Sequence, residues 1–347
     1  MKVLLIGGTG TISQAVTEQL LTQECELYLL NRGTRNHMLP FPVKEIIADI
    51  NQEEALVSEK IENLSFDVVV NFIGYEKIQV ERDYRLFHDK TKQYIYISSA
   101  SVYQKPLLNY IVNEDTPLGN LYWEYARKKI VCEAYLMERF RKDGFPVTII
   151  RPSHTYDERK LPVALHGRDG GWQTIKRMLD GKPVLVHGDG MSLWTVTHSK
   201  DLARGIIGLM GNSSAIGEAV QITSDECLTW NQIYAMIAKA LKVPLQTIHI
   251  ASQSLVQCSK FDFRGSLIGD KANSVVFDNR KLKRLVPGFK AEIPFEKGIR
   301  ETVSYMLSHE ECQTEDERFD KWCDRVILSL ESALIMIEKK KINMKDL

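Results

Sequence analysis

MKVLLIGGTGTISQAVTEQLL, residues 1–21, decides the fold of the amino-terminal region. The apolar, β-forming run at 3–6 is too short for a helix and therefore predicts a strand. Gly-Gly-Thr-Gly follows at 7–10, and apolar residues at helical spacing then predict a helix from about Thr11. Strand, glycine turn and helix in this order are typical of the first βαβ unit of a dinucleotide-binding domain.

The glycine turn predicts a site for the pyrophosphate of a dinucleotide, with a plain glycine turn as the alternative. Gly7 permits the tight turn, and Gly10 lets backbone N–H groups approach an anion because it has no side chain. The positive end of the following helix faces the same anion. The predicted cofactor contacts in this turn are Gly7, Thr9, Gly10, Thr11 and Ile12.

Length and composition exclude several classes of protein. The 347 residues are enough for such a domain and a second lobe. The 45 Lys and Arg residues balance 45 Asp and Glu, so no nucleic-acid or membrane partner is expected. Six scattered cysteines without a C-x-x-C pair predict neither a metal site nor a disulfide framework. The chain begins on a predicted strand and has no apolar run of about 18 residues, so we expect a cytoplasmic protein with reduced thiols.

The end of the second predicted strand bears on the choice of cofactor. The strand covers 26–30 and leads into Asn31, where an acidic residue would bond both ribose hydroxyls of NAD. Asn31 is neutral, and Arg32 and Arg35 beside it suit the additional 2′-phosphate of NADP. The sequence therefore favours NADP over NAD, with solvated loop arginines as the alternative.

Two further strand ends supply predicted cofactor contacts. A third strand over 43–50 ends in residues that could bracket the adenine ring, although Asp49 could instead cap the next helix. The continuous apolar run at 66–72 predicts a strand buried on both faces. Its end lies at the carboxyl edge, where ligands bind in open α/β sheets. The predicted contacts at these two ends are Asp49, Ile50, Phe72, Ile73 and Gly74.

The pattern Tyr-x-x-x-Lys on a later predicted helix indicates the chemistry. Tyr125 and Lys129 are one turn apart and share a helix face. A cation at this position lowers the pKa of the phenol and can hold a cofactor ribose. The tyrosine can then exchange a proton with a carbinol oxygen while a nicotinamide carries the hydride. A serine from the strand end SSASVY, at 98–103, completes the contacts to that oxygen; a solvated helix face is the alternative.

With these motifs in place, residues 1–307 resemble the extended short-chain dehydrogenase/reductase superfamily, and within it the NAD(P)-dependent epimerase/dehydratase group. The resemblance rests on GGTGTIS, SSASVY, YARKK with Glu133, the Ile-Arg-Pro at 150–152, and the HGDG…DLARG segment. It implies a doubly wound parallel-sheet Rossmann domain with a smaller, mostly helical C-terminal lobe, and an active site in the cleft between them. By matching position it implies catalytic Ser99, Tyr125 and Lys129, with Pro152 and His154 beside the nicotinamide. A structural role is the alternative for His154.

Three departures from the group narrow the function. Ser13 replaces the third glycine of the usual turn. The sugar 4,6-dehydratases carry an Asp-Glu pair after their active-site hydroxyl residue, and here those positions are Ala100 and Ser101. Nucleotide-sugar enzymes carry an arginine seven residues before the Asp that matches Asp201, and here that position is Trp194. We therefore expect neither a 4,6-dehydratase nor, unless Arg168 or Lys176 compensates, a UDP- or TDP-sugar enzyme.

The sequence thus predicts an NAD(P)-dependent oxidoreductase or epimerase that acts on a small carbonyl or hydroxyl substrate, with a sugar derivative as one candidate. The alternatives are a non-catalytic NADP-binding sensor and an RNA-binding relative of the same fold. The C-terminal amphipathic helix, 319 to about 341, is expected to pack on the domain, with homodimer contact as an alternative. The predicted divisions are a cofactor domain (1–155 and about 188–228), a substrate lobe (about 156–187 and 229–308) and an extension (309–347).

Overall fold

A parallel seven-stranded sheet forms the centre of the fold in the computed structural model, which describes residues 1–35 and 43–343 and side chains up to Lys339. In chain order the described strands are β1 (Lys2–Ile6), β2 (Glu26–Asn31), β3 (Lys44–Ile47), β4 (Val68–Asn71), β5 (Tyr94–Ile97), β6 (Ile111–Val112), β7 (Val147–Pro152), β8 (His154–Tyr156), β9 (Val184–His187), β10 (Leu193–Trp194), β11 (Val196–His198), β12 (Ala219–Ile222), β13 (Leu228–Thr229), β14 (Thr247–Ile250) and β15 (Val276–Phe277).

Helices connect these strands and dominate the C-terminal third of the chain. The α-helices are α1 (Thr11–Leu21), α2 (Glu54–Lys60), α3 (Lys77–Phe87), α4 (Glu124–Asp143), α5 (Trp172–Leu179), α6 (Ser199–Leu209), α7 (Trp230–Leu241), α8 (Ser252–Gln257), α9 (Arg280–Leu285), α10 (Phe295–Ser308) and α11 (Glu317–Asn343). Short 3₁₀ helices cover Ala100–Val102, Ser213–Ala215 and Glu310–Cys312, and a π-helix covers Arg264–Lys271.

The strand order β12-β7-β5-β4-β1-β2-β3 confirms the predicted doubly wound topology. The chain runs from β1 through β2 to β3 at one edge, and then crosses to β4 and continues outward to β12. The direction of winding therefore reverses between β1 and β4, and open α/β sheets bind ligands at such a reversal.

Both faces of the sheet are buried, which explains the continuous apolar runs in its strands. Val3 and Leu5 of β1 belong to the core cluster that also contains residues of α1 and α6. Leu4 and Ile6, the alternate residues, belong to the cluster with α3 and α4. The predicted strands at 43–50 and 66–72 extend beyond the observed β3 and β4, because their outer residues form turns at the strand ends.

The chain divides into two compact units. Unit 1 contains Met1–Asp157, Leu193–Cys227 and Asn273–Gly298, and therefore the whole central sheet. Unit 2 contains Glu158–Ser192, Leu228–Ala272 and the chain from Ile299 onward. Relative to the predicted boundaries, 273–298 joins unit 1, and the described part of the predicted extension joins unit 2; residues 344–347 lie outside the described residues. The roles predicted for the two lobes remain predictions.

The described residues contain no helix long and apolar enough to cross a membrane. Within the same residues, no group of three or more His, Cys, Asp and Glu side chains could hold a metal ion. All six cysteines are free thiols.

A buried ion pair joins α4 to the end of β7. Arg151 donates from Nη2 to Oε2 of Glu133 at 2.6 Å, and both side chains are almost fully buried. The Ser98 hydroxyl, directly after β5, also donates to this carboxylate. The pair therefore ties the carboxyl ends of two neighbouring strands, β5 and β7, to one helix.

We expect Arg151→Met to lower the free energy of unfolding by about 3–5 kcal/mol, because it leaves the Glu133 carboxylate buried without its cation. Adding Glu133→Leu should recover most of that loss. Lys142→Met is the control: it breaks an exposed pair with Glu138 and should cost less than about 1 kcal/mol. Chemical denaturation measures all three, and equal losses for Arg151→Met and Lys142→Met would contradict the prediction.

Candidate active site

The turn between β1 and α1 leaves backbone donors for an anionic ligand. Gly7 adopts a φ of +96°, and a Cβ at this position would lie 2.7 Å from Cγ2 of Ile73. The N–H of Gly10 donates to Oγ of Ser13 at 2.8 Å. In the described part of the chain, no acceptor pairs with the N–H groups of Thr11 and Ile12. These donors stand at the positive end of α1 and suit a pyrophosphate.

Ser13 replaces the third glycine without opening the helix–sheet contact. Its side chain is almost fully buried, and its hydroxyl accepts the hydrogen bond from Gly10. The close packing instead depends on Gly8, where a Cβ would lie 2.6 Å from Cδ2 of Leu29 in β2. The Thr17 hydroxyl of α1 reinforces this contact by donating to the Gly8 carbonyl at 2.9 Å.

Two arginines at the end of β2 are available to a ligand. The Asn31 side chain is used within its own turn, where its Oδ1 accepts the N–H of Gly33 at 2.7 Å. Arg32 and Arg35 are exposed, and neither forms an ion pair with any residue that the structure describes. Their guanidinium groups can therefore meet a phosphate without first breaking an internal pair.

Asp49, after the end of β3, is not the helix cap that the sequence offered as one of its two interpretations. Helix α2 begins at Glu54, and its N-terminal cap is Glu53, so Asp49 does not cap it. Oδ1 of Asp49 instead accepts the N–H of Asn51 at 3.0 Å in a short turn. Ile50, the other predicted contact, is buried. The bracket around an adenine ring remains a prediction.

The end of β4 lies against the glycine turn. The Ile73 side chain is the group that a Cβ at Gly7 would meet, so this loop and the turn are in direct contact. Asn71 fixes the loop, because its Oδ1 accepts the N–H of Ile73 at 2.7 Å. Phe72 donates its N–H to the Ile6 carbonyl at 3.1 Å, which extends the β1–β4 pairing into the predicted cofactor contacts.

Lys129 is the buried cation of the predicted site. Its Nζ donates to the Gly74 carbonyl and to the Ile97 carbonyl, both at 2.7 Å. Burial lowers the pKa of the Lys129 ammonium to about 8. Ser99 follows two residues after Ile97, and its Oγ lies 2.9 Å from Oγ of Ser101. The lysine thus connects the ends of β4 and β5 to α4, beside the predicted catalytic serine.

Aromatic rings surround Tyr125 and Lys129, and sequence reasoning missed three of them. Nζ of Lys129 lies 5.9 Å from the Tyr125 ring centroid, 4.7 Å from that of Tyr75 and 4.8 Å from that of Tyr96. The Tyr125 ring centroid is 5.0 Å from that of Trp123 and 6.4 Å from that of Tyr75. Ring faces attract the ammonium, and two of the rings flank the candidate acid–base. The available signal was the position of Tyr75, directly after the predicted contact Gly74.

The remaining predicted residues lie in unit 1 at the far strands. Pro152 ends β7 and pairs with Ile222 of β12, and His154 opens β8. Trp194, at the position where nucleotide-sugar enzymes carry arginine, is a buried indole in β10. The Asp201 carboxylate accepts backbone N–H groups from the 292–293 segment at 3.0 Å, so it has a structural task here.

The two proposed substitutes for the missing arginine belong to unit 2. Lys176 forms an ion pair with Asp180 at 2.8 Å on the surface of α5. Arg168 is exposed, and its backbone N–H donates to the Asp316 carboxylate at 2.8 Å. Phosphate binding by either side chain remains a prediction.

A sequence model of the NAD dependent epimerase/dehydratase family matches residues 3–223. This chain belongs to that family. The matched segment contains all seven strands of the central sheet, together with the glycine turn, Ser99, Tyr125 and Lys129. Helix α11 lies outside it.

Individual proteins and solved structures resemble the chain over most of its length. The chloroplast stem-loop binding protein of 41 kDa b from Arabidopsis thaliana is 26% identical over 328 residues, covering 88% of this chain and 79% of that protein. The 2'-dehydrokanamycin reductase of Streptomyces kanamyceticus is 22% identical, covering 84% of this chain and 80% of the reductase. The structure of UDP-glucuronic acid 4-epimerase from Bacillus cereus with UDP-glucuronic acid and NAD superposes with a TM-score of 0.71 at 19% identity, covering 89% and 99% of the two chains. At 19% identity, the likeness to the Bacillus cereus epimerase shows a shared fold.

The cofactor of the epimerase/dehydratase family fits the residues observed here. The unpaired N–H groups of Thr11 and Ile12 suit its pyrophosphate, and glycine lets the backbone approach at Gly7 and Gly10. Lys129 provides a buried cation at the neighbouring strand ends.

We expect Gly7→Ala to weaken NADH binding at least about tenfold, because the new Cβ would displace Ile73 and distort the turn that presents the Thr11 and Ile12 donors. Gly144→Ala is the matched control: Gly144 also has a positive φ, of +70°, but a Cβ there meets nothing within 4 Å. A fluorescence titration with NADH measures both variants. Equal affinities for Gly7→Ala and the unmodified protein would contradict the placement of the pyrophosphate.

Proposed function

We propose that the chain is an NAD(P)-dependent oxidoreductase or epimerase that acts on a small, sugar-derived carbonyl or hydroxyl compound through Ser99, Tyr125 and Lys129. The observation that carries this proposal is the Lys129 ammonium, buried between two backbone carbonyls one helical turn from Tyr125. A buried cation beside a phenol serves proton transfer better than it serves stability, because burying a charge is costly.

In the proposed mechanism, the Tyr125 phenol donates a proton to the substrate oxygen when the substrate is reduced. When the substrate is oxidised, the Tyr125 phenolate accepts the proton of the substrate hydroxyl. The positive charge of Lys129 favours the phenolate and so lowers the cost of proton removal. The Ser99 hydroxyl donates to the same oxygen and orients it. The nicotinamide of the bound cofactor supplies the hydride chemistry. The residues proposed to hold the cofactor are Gly7, Thr9, Gly10, Thr11, Ile12, Asn31, Arg32, Arg35, Asp49, Ile50, Phe72, Ile73, Gly74, Tyr125, Lys129, Pro152 and His154.

The proposed substrate carries no nucleotide diphosphate. A buried indole, Trp194, stands where nucleotide-sugar enzymes place their phosphate-binding arginine, and an indole offers no charge to a diphosphate. Beside Tyr125 lie the exposed ring of Tyr75 and the half-buried ring of Trp123. Both rings suit packing against the apolar face of a sugar ring. The likeness to a 2'-dehydrokanamycin reductase supports a carbonyl substrate.

We also propose that the reaction is not a 4,6-dehydration. Ala100 and Ser101 occupy the positions of the acid and base that dehydratases of the family use. Both residues are buried in a short 3₁₀ helix, and the Ser101 hydroxyl is hydrogen-bonded to Ser99. Neither can supply the carboxyl group that the loss of water requires.

We expect Tyr125→Phe to reduce turnover by about 10²–10⁴-fold and to leave cofactor affinity within about twofold, because only the proton-transferring hydroxyl is removed. Tyr122→Phe is the matched control and should keep full activity. The assay follows NADPH oxidation with keto-sugars, and epimerisation of UDP-glucose and UDP-glucuronic acid by NMR. Retained turnover in Tyr125→Phe would overturn the assignment, and turnover of the UDP-sugars alone would overturn the proposed substrate class.

For the cofactor we propose NADP in preference to NAD. Arg32 and Arg35 are exposed and free of internal ion pairs among the described residues, beside a neutral Asn31.

We expect Arg32→Gln and Arg35→Gln to weaken NADPH binding about tenfold each and to leave NADH binding unchanged, because only NADPH carries the 2′-phosphate. Arg141→Gln, which removes an exposed arginine elsewhere in unit 1, should affect neither cofactor. Titrations with both cofactors test this. Equal weakening for NADH and NADPH, or NAD found tightly bound in the purified protein by mass spectrometry, would contradict it.

RNA binding is the second candidate function, and the observation that favours it is the likeness to a chloroplast stem-loop binding protein. The zero formal charge of the chain argues against it, since contacts to phosphates depend on clustered cations. A mobility-shift assay with a stem-loop RNA at increasing salt distinguishes the two functions. A salt-sensitive complex without any turnover would favour RNA binding.

A further inference from the structure

We propose that unit 2 carries a second ligand site, a cavity along α11 that binds an amphiphilic anion, meaning an apolar chain or ring with one carboxylate or phosphate. The site lies in a different unit from Ser99, Tyr125 and Lys129. Nearly half of its lining residues belong to helix α11, and except for Arg168 and Asp169 the whole lining lies outside the segment that the family model matches. The proposal therefore does not depend on the reaction proposed above.

The cavity has a volume of about 1180 Å³, somewhat above the range of about 300–1,000 Å³ that is typical of small-molecule sites. Helix α11 contributes residues between Arg318 and Ala333, and Asp316 lines the cavity just before the helix. The other lining residues are Ile250, five residues from Ser254 of α8 to Phe261 in the segment that follows it, and the pair at 168–169. This volume exceeds the needs of a simple inorganic anion and leaves room for an apolar body.

Part of the lining, which we call the floor, is apolar; it consists of Phe261, Trp322, Val326, Leu330 and Ala333. Trp322 packs against Phe261 with ring centroids 5.7 Å apart, and also against Phe263 and Phe319. Its indole N–H donates to the Cys258 carbonyl at 3.0 Å, so the ring offers the ligand no unsatisfied donor. The apolar surface continues along α11 through three residues one helical turn apart or less, Val326, Leu330 and Ala333.

The charged residues of the lining, which we call the rim, carry an excess of positive charge. The rim contains five basic side chains against two acidic ones; the basic residues are Arg168, Lys260, Arg318, Lys321 and Arg325. The Asp316 carboxylate is hydrogen-bonded within the fold, because it accepts the backbone N–H groups of Arg168 and Phe319. The other acidic residue is Asp169, which is exposed.

Four of these five cations form no ion pair with any described residue. Lys321 pairs with Glu317 at 2.7 Å, and the four without such a pair are Arg168, Lys260, Arg318 and Arg325. Arg318 and Arg325 are seven residues apart on α11 and so lie on one face of the helix, on either side of Trp322. Two guanidinium groups beside an apolar floor match a carboxylate or phosphate that carries an apolar body.

Other ligand classes fit less well. A nucleotide base needs several directed donors and acceptors, and the uncharged polar side chains of the lining are only Ser254, Gln257 and Ser329. A small anion such as acetate could contact the cations but would leave the aromatic floor exposed to water. A cation would be repelled by the rim. An amphiphilic anion satisfies the floor and the rim together.

The test is a calorimetric titration of the full chain with decanoate, below the concentration at which it forms micelles. We expect saturable binding of decanoate, binding of 1-decanol at least about tenfold weaker, and no binding of acetate. Arg318→Gln and Arg325→Gln should each weaken decanoate binding about tenfold. Arg264→Gln, which removes an exposed cation of unit 2 outside the cavity, should leave it unchanged. Decyl phosphate, compared with decanoate, identifies the preferred head group.

Two further measurements locate the ligand. Ala333→Trp, at an exposed position of the lining, should fill the cavity and abolish binding while circular dichroism remains unchanged. Decanoate should slow alkylation of the exposed Cys258, which lines the cavity, but not that of Cys312. Equal affinity for decanoate and decanol, or unchanged affinity in both arginine variants, would overturn the proposal. So would sedimentation data in which a second copy of the chain occupies this face and excludes decanoate.

Discussion

The Lys129 ammonium and its two backbone carbonyls are the constraint on which the site depends. Burying a lysine is costly unless its donors find partners, and here the carbonyls of Gly74 and Ile97 accept from two of its three N–H groups at 2.7 Å each. Ile97 is the last residue of β5, and Gly74 lies in the loop three residues after the end of β4, so the lysine ties α4 to both. The same helix carries Tyr125, and the residue pair after Ile97 brings in Ser99. One hydrogen-bonded cation thus sets the positions of all three residues of the proposed site.

The constraint extends from the proposed proton-transfer groups to the proposed cofactor turn through direct contacts. Gly74, which accepts from Lys129, follows Ile73, and the Ile73 side chain closes over Gly7. A Cβ at position 7 would lie 2.7 Å from Cγ2 of Ile73, so any side chain there would force the residue next to Gly74 to shift. The glycine turn and the lysine are therefore parts of one packed arrangement.

Sequence reasoning predicted what depends on local spacing and missed what depends on contacts across the chain. The β1–turn–α1 unit follows from a strand-length apolar run and the glycines, and the shared face of Tyr125 and Lys129 follows from their spacing of four. The rings of Tyr75 and Tyr96 around Lys129 come from the loop after β4 and from β5, and the only local signal for either was the position of Tyr75 directly after Gly74. The capping role considered for Asp49 was wrong because the chain makes a tight turn before α2 begins at Glu54. Similarly, nothing local shows that 273–298 returns to unit 1.

The cations of this chain fall into two groups, and the cost of desolvation explains the difference. Arg151 and Lys129 are buried, and each has its partners within the fold, because an unpaired buried charge would cost several kcal/mol, of the order of 3–5. Arg318 and Arg325 are exposed and need no partner for folding. They lose water only when a ligand covers them, so their charge is available for binding rather than for stability. A cation retained at the rim of an apolar cavity, where folding does not require it, is the arrangement expected of a recognition site.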